Sequence, residues 1–277
     1  MPSAKTWDCK MKSCLRKDEA LLADIQAARE RTDQFHVWWL GQCVFLLQWQ
    51  ESHLLIDPYL SDSLNHFYSW ARLPGSPIPF PPSEVQADLV LATHAHEDHL
   101  DPHSIPDIAA ASEAVIAGPT LCAQAMREWG IPAERIIEIN RGESQIIAGV
   151  PVSAVFAHHE SEAGAPQPDA VGFVLDLEGI TVYHSGDTLY HPDLKEVSAY
   201  QPDVMLVCIN GQYGNMTPQE AGRLTKEVEP TVVIPMHWGL VAENTADPAD
   251  FVASMASEGS GARPVVMGPG DLYLCSC

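Results

Sequence analysis

Apolar residues in this chain gather into short runs separated by polar or proline-rich breaks, and the period of the pattern changes along its length. Residues 17–33 read as an amphipathic helix that packs on the exterior of the fold. Short alternating runs near 36–40, 44–49 and 53–57 predict a β-meander that opens a first sheet. The stretch 71–83 is too rich in proline for regular structure. Together with 59–70, which carries Tyr59, Phe67, Tyr68 and Trp70, it forms a long connection. Such connections serve as lids or binding loops. The expectation is a roof over a cleft, with Arg72 as a substrate contact, against the alternative of a packed surface loop. Strand and helix patterns then alternate over 88–138 and again over 171–257, which predicts two β-rich halves with outer helices.

The apolar run 87–92 leads into Thr93-His94-Ala95-His96-Glu97-Asp98-His99-Leu100-Asp101. Neutral imidazole nitrogens and carboxylate oxygens are the usual ligands of zinc, iron and manganese. If 89–92 is a strand, His94 and His96 leave its carboxyl end pointing to one side. Asp98 and His99 follow after the chain turns and can reach a second ion. Four ligands are too many for one ion that keeps a position open for water, so the spacing predicts two metals. The bland reading is a polar loop whose histidines bind water. Against it stands the whole pattern, at the end of a strand where α/β enzymes bind ligands.

The segment resembles the signature of the metallo-β-lactamase superfamily. That resemblance implies an α/β (α+β) fold, a four-layer αββα sandwich with a one- or two-metal site at one edge of its sheets. The superfamily's later ligand positions are filled in order. The run 151–157 leads into His158 and His159, the run from Ile180 leads to Asp187, and the run from Thr231 leads to His237. Neighbours on extended backbone face opposite ways, and the family's spacing favours His159 as the ligand, with His158 beside it or in the cleft wall. The resemblance thus implies His94, His96 and His159 on one ion, Asp98, His99 and His237 on the other, and Asp187 bridging. Asp57 stands near where the family keeps a carboxylate that orients a ligand histidine, and His184 is a candidate for a similar role or a core histidine.

The resemblance extends from about Trp38 to about Phe251. Residues 37–41, 118–122, 129–135 and 183–187 are similar to the ascorbate-6-phosphate lactonase-like branch, although 161–168 is shorter than that branch has it. It implies a helical extension over 1–35 and a single hydrolase domain over 36–277. The activity implied is that of a metal-dependent hydrolase, in which a hydroxide between two divalent ions opens a small ester or lactone, phosphorylated or not. Zinc or manganese would serve, and iron is admissible. Asp98 and Asp187 are the carboxylates in the chemistry, with Asp98 shuttling a proton. The runner-up is a phosphodiesterase of the phospholipase D-like type. A diiron oxygen or nitric oxide reductase-like protein ranks last, because such proteins commonly have glutamate in place of the motif's second histidine, here His96, and a flavin domain usually follows.

Composition narrows the partners. A chain of 277 residues with 46% hydrophobic content can bury a sizeable core. No apolar run is long enough for a membrane helix, and the first ten residues do not read as a secretory signal. Seven cysteines without framework-like spacing predict reduced thiols in the cytosol, with Cys275 and Cys277 idle at a frayed terminus. A net charge of −22 with 15 Lys and Arg counts against nucleic acid. The expected partner is a small molecule, with no nucleic acid and no membrane, and a homo-oligomer is left open.

Overall fold

The apolar runs become strands whose two faces are both covered, which is why they read as nearly continuous hydrophobic segments. The computed structural model describes residues 8–12, 19–159 and 167–276. Along them run β1 (Asp8–Lys12), α1 (Glu19–Ala28), β2 (Gln34–Trp39), β3 (Phe45–Trp49), β4 (Ser52–Ile56), α2 (Ser63–Tyr68), β5 (Leu89–Leu91) and α3 (Ser104–Ala111). Next come β6 (Val115–Gly118), α4 (Thr120–Glu128), β7 (Ile136–Glu138), β8 (Ser144–Ile147), β9 (Val150–Phe156), β10 (Val171–Asp176) and β11 (Thr181–His184). The chain closes with β12 (Val204–Cys208), α5 (Pro218–Val228), β13 (Val232–Met236), α6 (Pro248–Glu258), β14 (Arg263–Pro264) and β15 (Leu272–Ser276).

One sheet has the order β1-β15-β2-β3-β4-β5-β6-β7, and the other β14-β13-β12-β11-β10-β9-β8. The first is antiparallel from β1 to β4 and parallel from β4 to β7. The second is antiparallel from β8 to β11 and parallel from β11 to β14.

Alternation along each strand sorts side chains between the layers. Phe35, Val37, Trp39, Phe45, Leu47, Leu54 and Ile56 join the core between the sheets. Their neighbours Trp38, Leu46, Leu55 and Val90 face the other way, against Leu21, Leu22 and Ile25 of α1, Ile105 and Ile108 of α3, and Met126 of α4. Ala221 and Leu224 of α5 and Phe251 and Met255 of α6 pack on the second sheet. The result is the expected αββα sandwich.

Several local expectations need correction. The helix expected over 17–33 spans Glu19–Ala28, and residues 17 and 18 lie outside the described residues. The segment ahead of residue 36 is more than a helical extension, since β1 pairs with β15 in the first sheet. The irregular 59–83 connection contains α2, closed by Ser69 in a left-handed conformation (φ 59°). The carboxyl end is not frayed at Cys275. That residue lies in a strand paired on both sides, is buried, and is disulfide-bonded. Cys43, Cys122 and Cys208 are free and buried, as core thiols should be. Residues 161–166 of the short stretch after His159 lie outside the described residues. Among the described residues, no helix is long and apolar enough to cross a membrane.

Candidate metal centre

Four strand ends converge on one edge of the sandwich. His94 follows β5, His159 follows β9, Asp187 follows β11 and His237 follows β13. Parallel neighbours end level with one another, so their carboxyl-terminal loops meet. His237 leaves its strand with φ 63°, a conformation that non-glycine residues rarely adopt and that turns the chain sharply after Met236. Gly186 (φ 59°) precedes Asp187, and a Cβ there would lie 2.7 Å from the carbonyl oxygen of Val171. The close approach lets the Asp187 loop lie flat against Thr93 and Val171.

Two groups of donor atoms result. In the first, His94 Nε2 and His159 Nε2 stand 3.0 and 3.1 Å from His96 Nδ1. The outer nitrogens are fixed, with His94 Nδ1 3.0 Å from Thr93 Oγ1 and His159 Nδ1 3.1 Å from the Gly214 carbonyl. An N–H donated outward leaves the inner nitrogen as a lone pair. Burial, then the facing imidazoles, keeps His94 well below the usual histidine range, and burial lowers His159 as well. Both are therefore neutral bases near pH 7. Three nitrogens within 4.8 Å of one another, two of them at hydrogen-bond distance from the third, fit a cation in their midst.

The second group is Cys43, His99, Asp187 and His237, whose donor atoms all lie within 4.8 Å of one another. Asp187 Oδ1 is 3.3 Å from His99 Nε2, and its Oδ2 is 3.2 Å from His237 Nε2 and 3.9 Å from His159 Nε2. The Asp187 carboxylate therefore faces both groups. Asp98 Oδ2 stands at the side of the second group, 3.5 Å from His237 Nε2 and 3.7 Å from His99 Nε2. Burial opposes the charge on both carboxyls. The imidazoles of His237 and His99 overcome it and hold Asp187 well below the usual range, and Asp98 is lowered in the same way. His99 goes the other way, since Asp187, Asp98 and Asp57 outweigh its burial and raise it well above an ordinary histidine. Its Nε2 is buried without a hydrogen-bond partner. A protein that gathers this much negative charge around an unpartnered nitrogen fits a positive ion there.

Asp57 sits behind the second group. Its Oδ1 accepts from Thr93 N at 2.8 Å, and its Oδ2 accepts from Thr93 Oγ1 at 2.8 Å and His99 Nδ1 at 2.7 Å. Buried His184 stands between two loops, accepting from Gly186 N at Nδ1 and donating from Nε2 to the carbonyl of Cys43, each at 3.1 Å. His158 turns away from the donors, its ring 5.6 Å from that of His191. Arg72 is also not brought to the centre. Its guanidinium donates to the carbonyls of Ser61, Tyr59 and Ser76 and to Asp62, and lies over the Tyr59 ring, tying the 59–83 loop to itself.

Three participants have no role assigned to them by the sequence. Gln42 Nε2 donates to Asp98 Oδ2 at 2.8 Å, Cys43 joins the second group, and Asn215 Nδ2 donates to Asp187 Oδ2 at 2.7 Å. The only sequence signal for the first two is a polar break, Gly41-Gln42-Cys43, between apolar strands. An aromatic wall borders the centre. Tyr68 donates to Glu97 Oε2 beside His96, the Trp70 ring lies tilted against Tyr68 and Tyr213 with centroids 5.6 and 5.1 Å away, and Tyr213 adjoins Gly214, the His159 partner.

Known proteins match this chain over most of its length. The family described as "Beta-lactamase superfamily domain" matches residues 36–237. A UPF0173 metal-dependent hydrolase of Methanopyrus kandleri is 32% identical over 247 residues, covering 86% of this chain and 98% of that one. Igni18, a metallo hydrolase of the archaeon Ignicoccus hospitalis, superposes with a TM-score of 0.68 at 25% identity, over 87% of this chain and 98% of that one. An isothiocyanate hydrolase from Delia radicum gut bacteria shares the fold, with a TM-score of 0.67 at 20% identity over 86% of this chain and 98% of its own.

Proposed function

This chain belongs to the metallo-β-lactamase superfamily of metal-dependent hydrolases, and we propose that it opens a small carboxylic ester or lactone at a centre of two divalent ions. One observation carries the reading, the position of the Asp187 carboxylate between the three-histidine group and the His99–His237 pair. Histidine and carboxylate donors accept zinc or manganese, and iron as well. When bound, two such ions supply an acidified water and polarisation of the substrate oxygen.

The chain's own residues have separate tasks. His94, His96 and His159 would hold one ion, and His99 and His237 the other, with Asp187 between the two and Asp98 beside the second. Asp57 and Thr93 fix the imidazole planes from behind, so the donors are oriented before anything binds. Asp98, steadied by the Gln42 amide, accepts a proton from the attacking water and returns it to the departing alkoxide. Tyr68, Trp70 and Tyr213 offer an aromatic wall of tilted rings to the body of the substrate and keep water off it. The acidic balance of the chain supports a small substrate over a nucleic acid.

The test is a hydrolysis panel of aryl esters, aliphatic lactones, phosphorylated lactones such as L-ascorbate 6-phosphate, and phosphodiesters. Chelator-stripped protein is compared with protein reloaded with zinc or manganese. Ester or lactone turnover that vanishes on stripping and returns with metal is expected. Turnover confined to phosphodiesters would move the activity to the phosphodiesterases, and none at all with two ions bound would end the hydrolytic reading. Trp70→Ala should raise KM for the true substrate roughly 10-fold, the worth of one aromatic contact, with kcat little changed. An unchanged KM would remove the wall from the substrate's path.

A further inference from the structure

The loop between β2 and β3 carries a thiol that the ligand pattern and the hydrolytic reading both leave unused. Cys43 Sγ lies 3.9 Å from Asp187 Oδ1, and the donor atoms of Cys43, His99, Asp187 and His237 lie within 4.8 Å of one another, all buried. They come from four separate stretches of chain, the β2–β3 loop, the segment after β5, and the ends of β11 and β13. Metal–donor distances of about 2.0–2.3 Å in a tetrahedral site place the donors roughly 3.3–3.7 Å apart. His99 Nε2 to Asp187 Oδ1 at 3.3 Å and His237 Nε2 to Asp187 Oδ2 at 3.2 Å are already near that spacing, and Cys43 Sγ, 3.9 Å from Asp187 Oδ1, exceeds it by only a few tenths of an ångström on that side. His99 Nε2, aimed into the same space, has no hydrogen-bond partner.

The loop holds the sulfur in place from three sides. Trp39 Nε1 and the His237 backbone N–H donate to the Gln42 carbonyl at 2.9 and 3.0 Å, and His184 Nε2 donates to the Cys43 carbonyl at 3.1 Å. Gln42 keeps φ 50° to make this turn. The same His184 receives Gly186 N–H, so one buried imidazole ties the Cys43 loop to the Asp187 loop.

We propose that Cys43 is a ligand of the second ion, completing a site of two nitrogens, one oxygen and one sulfur with His99, His237 and Asp187. The proposal rests on the two-ion reading of the centre. Asp98, held by Gln42 at 2.8 Å, then stays beside the ion as the proton-transfer group. Ligation forms a sulfur–metal bond and releases the thiol proton to solvent. A soft thiolate favours zinc over manganese, so the second position becomes the zinc-selective one, while the three-histidine position takes its ion without sulfur.

Cobalt(II) in place of zinc reports sulfur directly, because a thiolate ligand adds an intense near-ultraviolet charge-transfer band that nitrogen and oxygen ligands do not give. Titrating the chelator-stripped full chain with cobalt should raise this band with the equivalent that fills the second site. In C43S the band should be gone and the other equivalent retained, with zinc affinity at the second site lowered at least about 10-fold and manganese affinity changed less. C122S/C208S, which removes the other free thiols among the described residues, should keep the band even if C43S does not fold. No band in the saturated wild-type protein, an undiminished band in C43S, or its loss in a folded C122S/C208S would overturn the proposal. A band without hydrolysis of any ester or lactone would leave Cys43 a ligand and defeat the hydrolytic reading, and hydrolysis without the band would do the reverse.

Discussion

Asp57 governs the centre without entering it. By receiving His99 Nδ1 and both donors of Thr93, it sets which nitrogen of His99 faces the cluster. Asp57→Asn would present an N–H₂ to at least one of these donors, so the second ion should bind about 10–100-fold more weakly while the three-histidine position keeps its affinity. Calorimetric titration of stripped protein reads both, and an unchanged second step would remove Asp57 from that role. His53 carries a separate prediction. Burial, then the Arg29 cation, pulls it down from 6.5 to about 4. Between those values the unfolded chain takes up a proton that the folded chain refuses, so stability present above the unfolded value is lost as pH falls toward the folded one. The loss amounts to at most about 3 kcal/mol. Urea unfolding of His53→Gln should show a correspondingly smaller loss between pH 6.5 and 4 than the wild type, and equal losses would contradict the account. Asp57 was legible because it ends a strand, at a place where a turn and a site coincide. Gln42, Cys43 and Asn215 received no role from the sequence, since only the packing of distant loops brings them to Asp98 and Asp187.

At the scale of elements, the strands were readable where alternation serves two covered faces, as in β2, β3 and β4. The terminal strands β1 and β15 were missed. Each is five residues long, and their identity comes from pairing with each other and with β2 rather than from local pattern. Helix α2 was hidden because six residues inside a long polar connection give no period to detect. Packing between α5 and α6 shows how tight a pair of elements can be. A Cβ on Gly222 would lie 2.3 Å from Ser254 Oγ and 2.8 Å from Ser254 Cβ. Gly222→Ala should therefore destabilise the fold by about 1–3 kcal/mol through overpacking, with metal content unchanged, since α5 and α6 lie on the outer face of the second sheet. Chemical unfolding and metal analysis of the variant check the two halves of that statement.

Across the whole molecule, the sandwich brings loops from both sheets to one edge and leaves the rest of the chain to hold them there. His94, His159, Asp187 and His237 follow strands far apart in sequence, and their order was legible because each follows an apolar run. The disulfide at Cys275 was not legible, because spacing alone does not pair seven cysteines. Disulfides are uncommon in a reducing cytosol, so the expectation of cytosolic thiols does not extend to this cysteine. Ions that bind only the folded chain stabilise it by about 2.7 kcal/mol at a concentration 100 times Kd. Chelation should therefore lower Tm, and zinc should restore it. The most direct test of the two-ion centre is to titrate stripped protein with zinc while following hydrolysis of the best ester or lactone found in the panel. The account predicts activity that rises through the second equivalent and stops there. Full activity without metal, or saturation at a single equivalent, would contradict it.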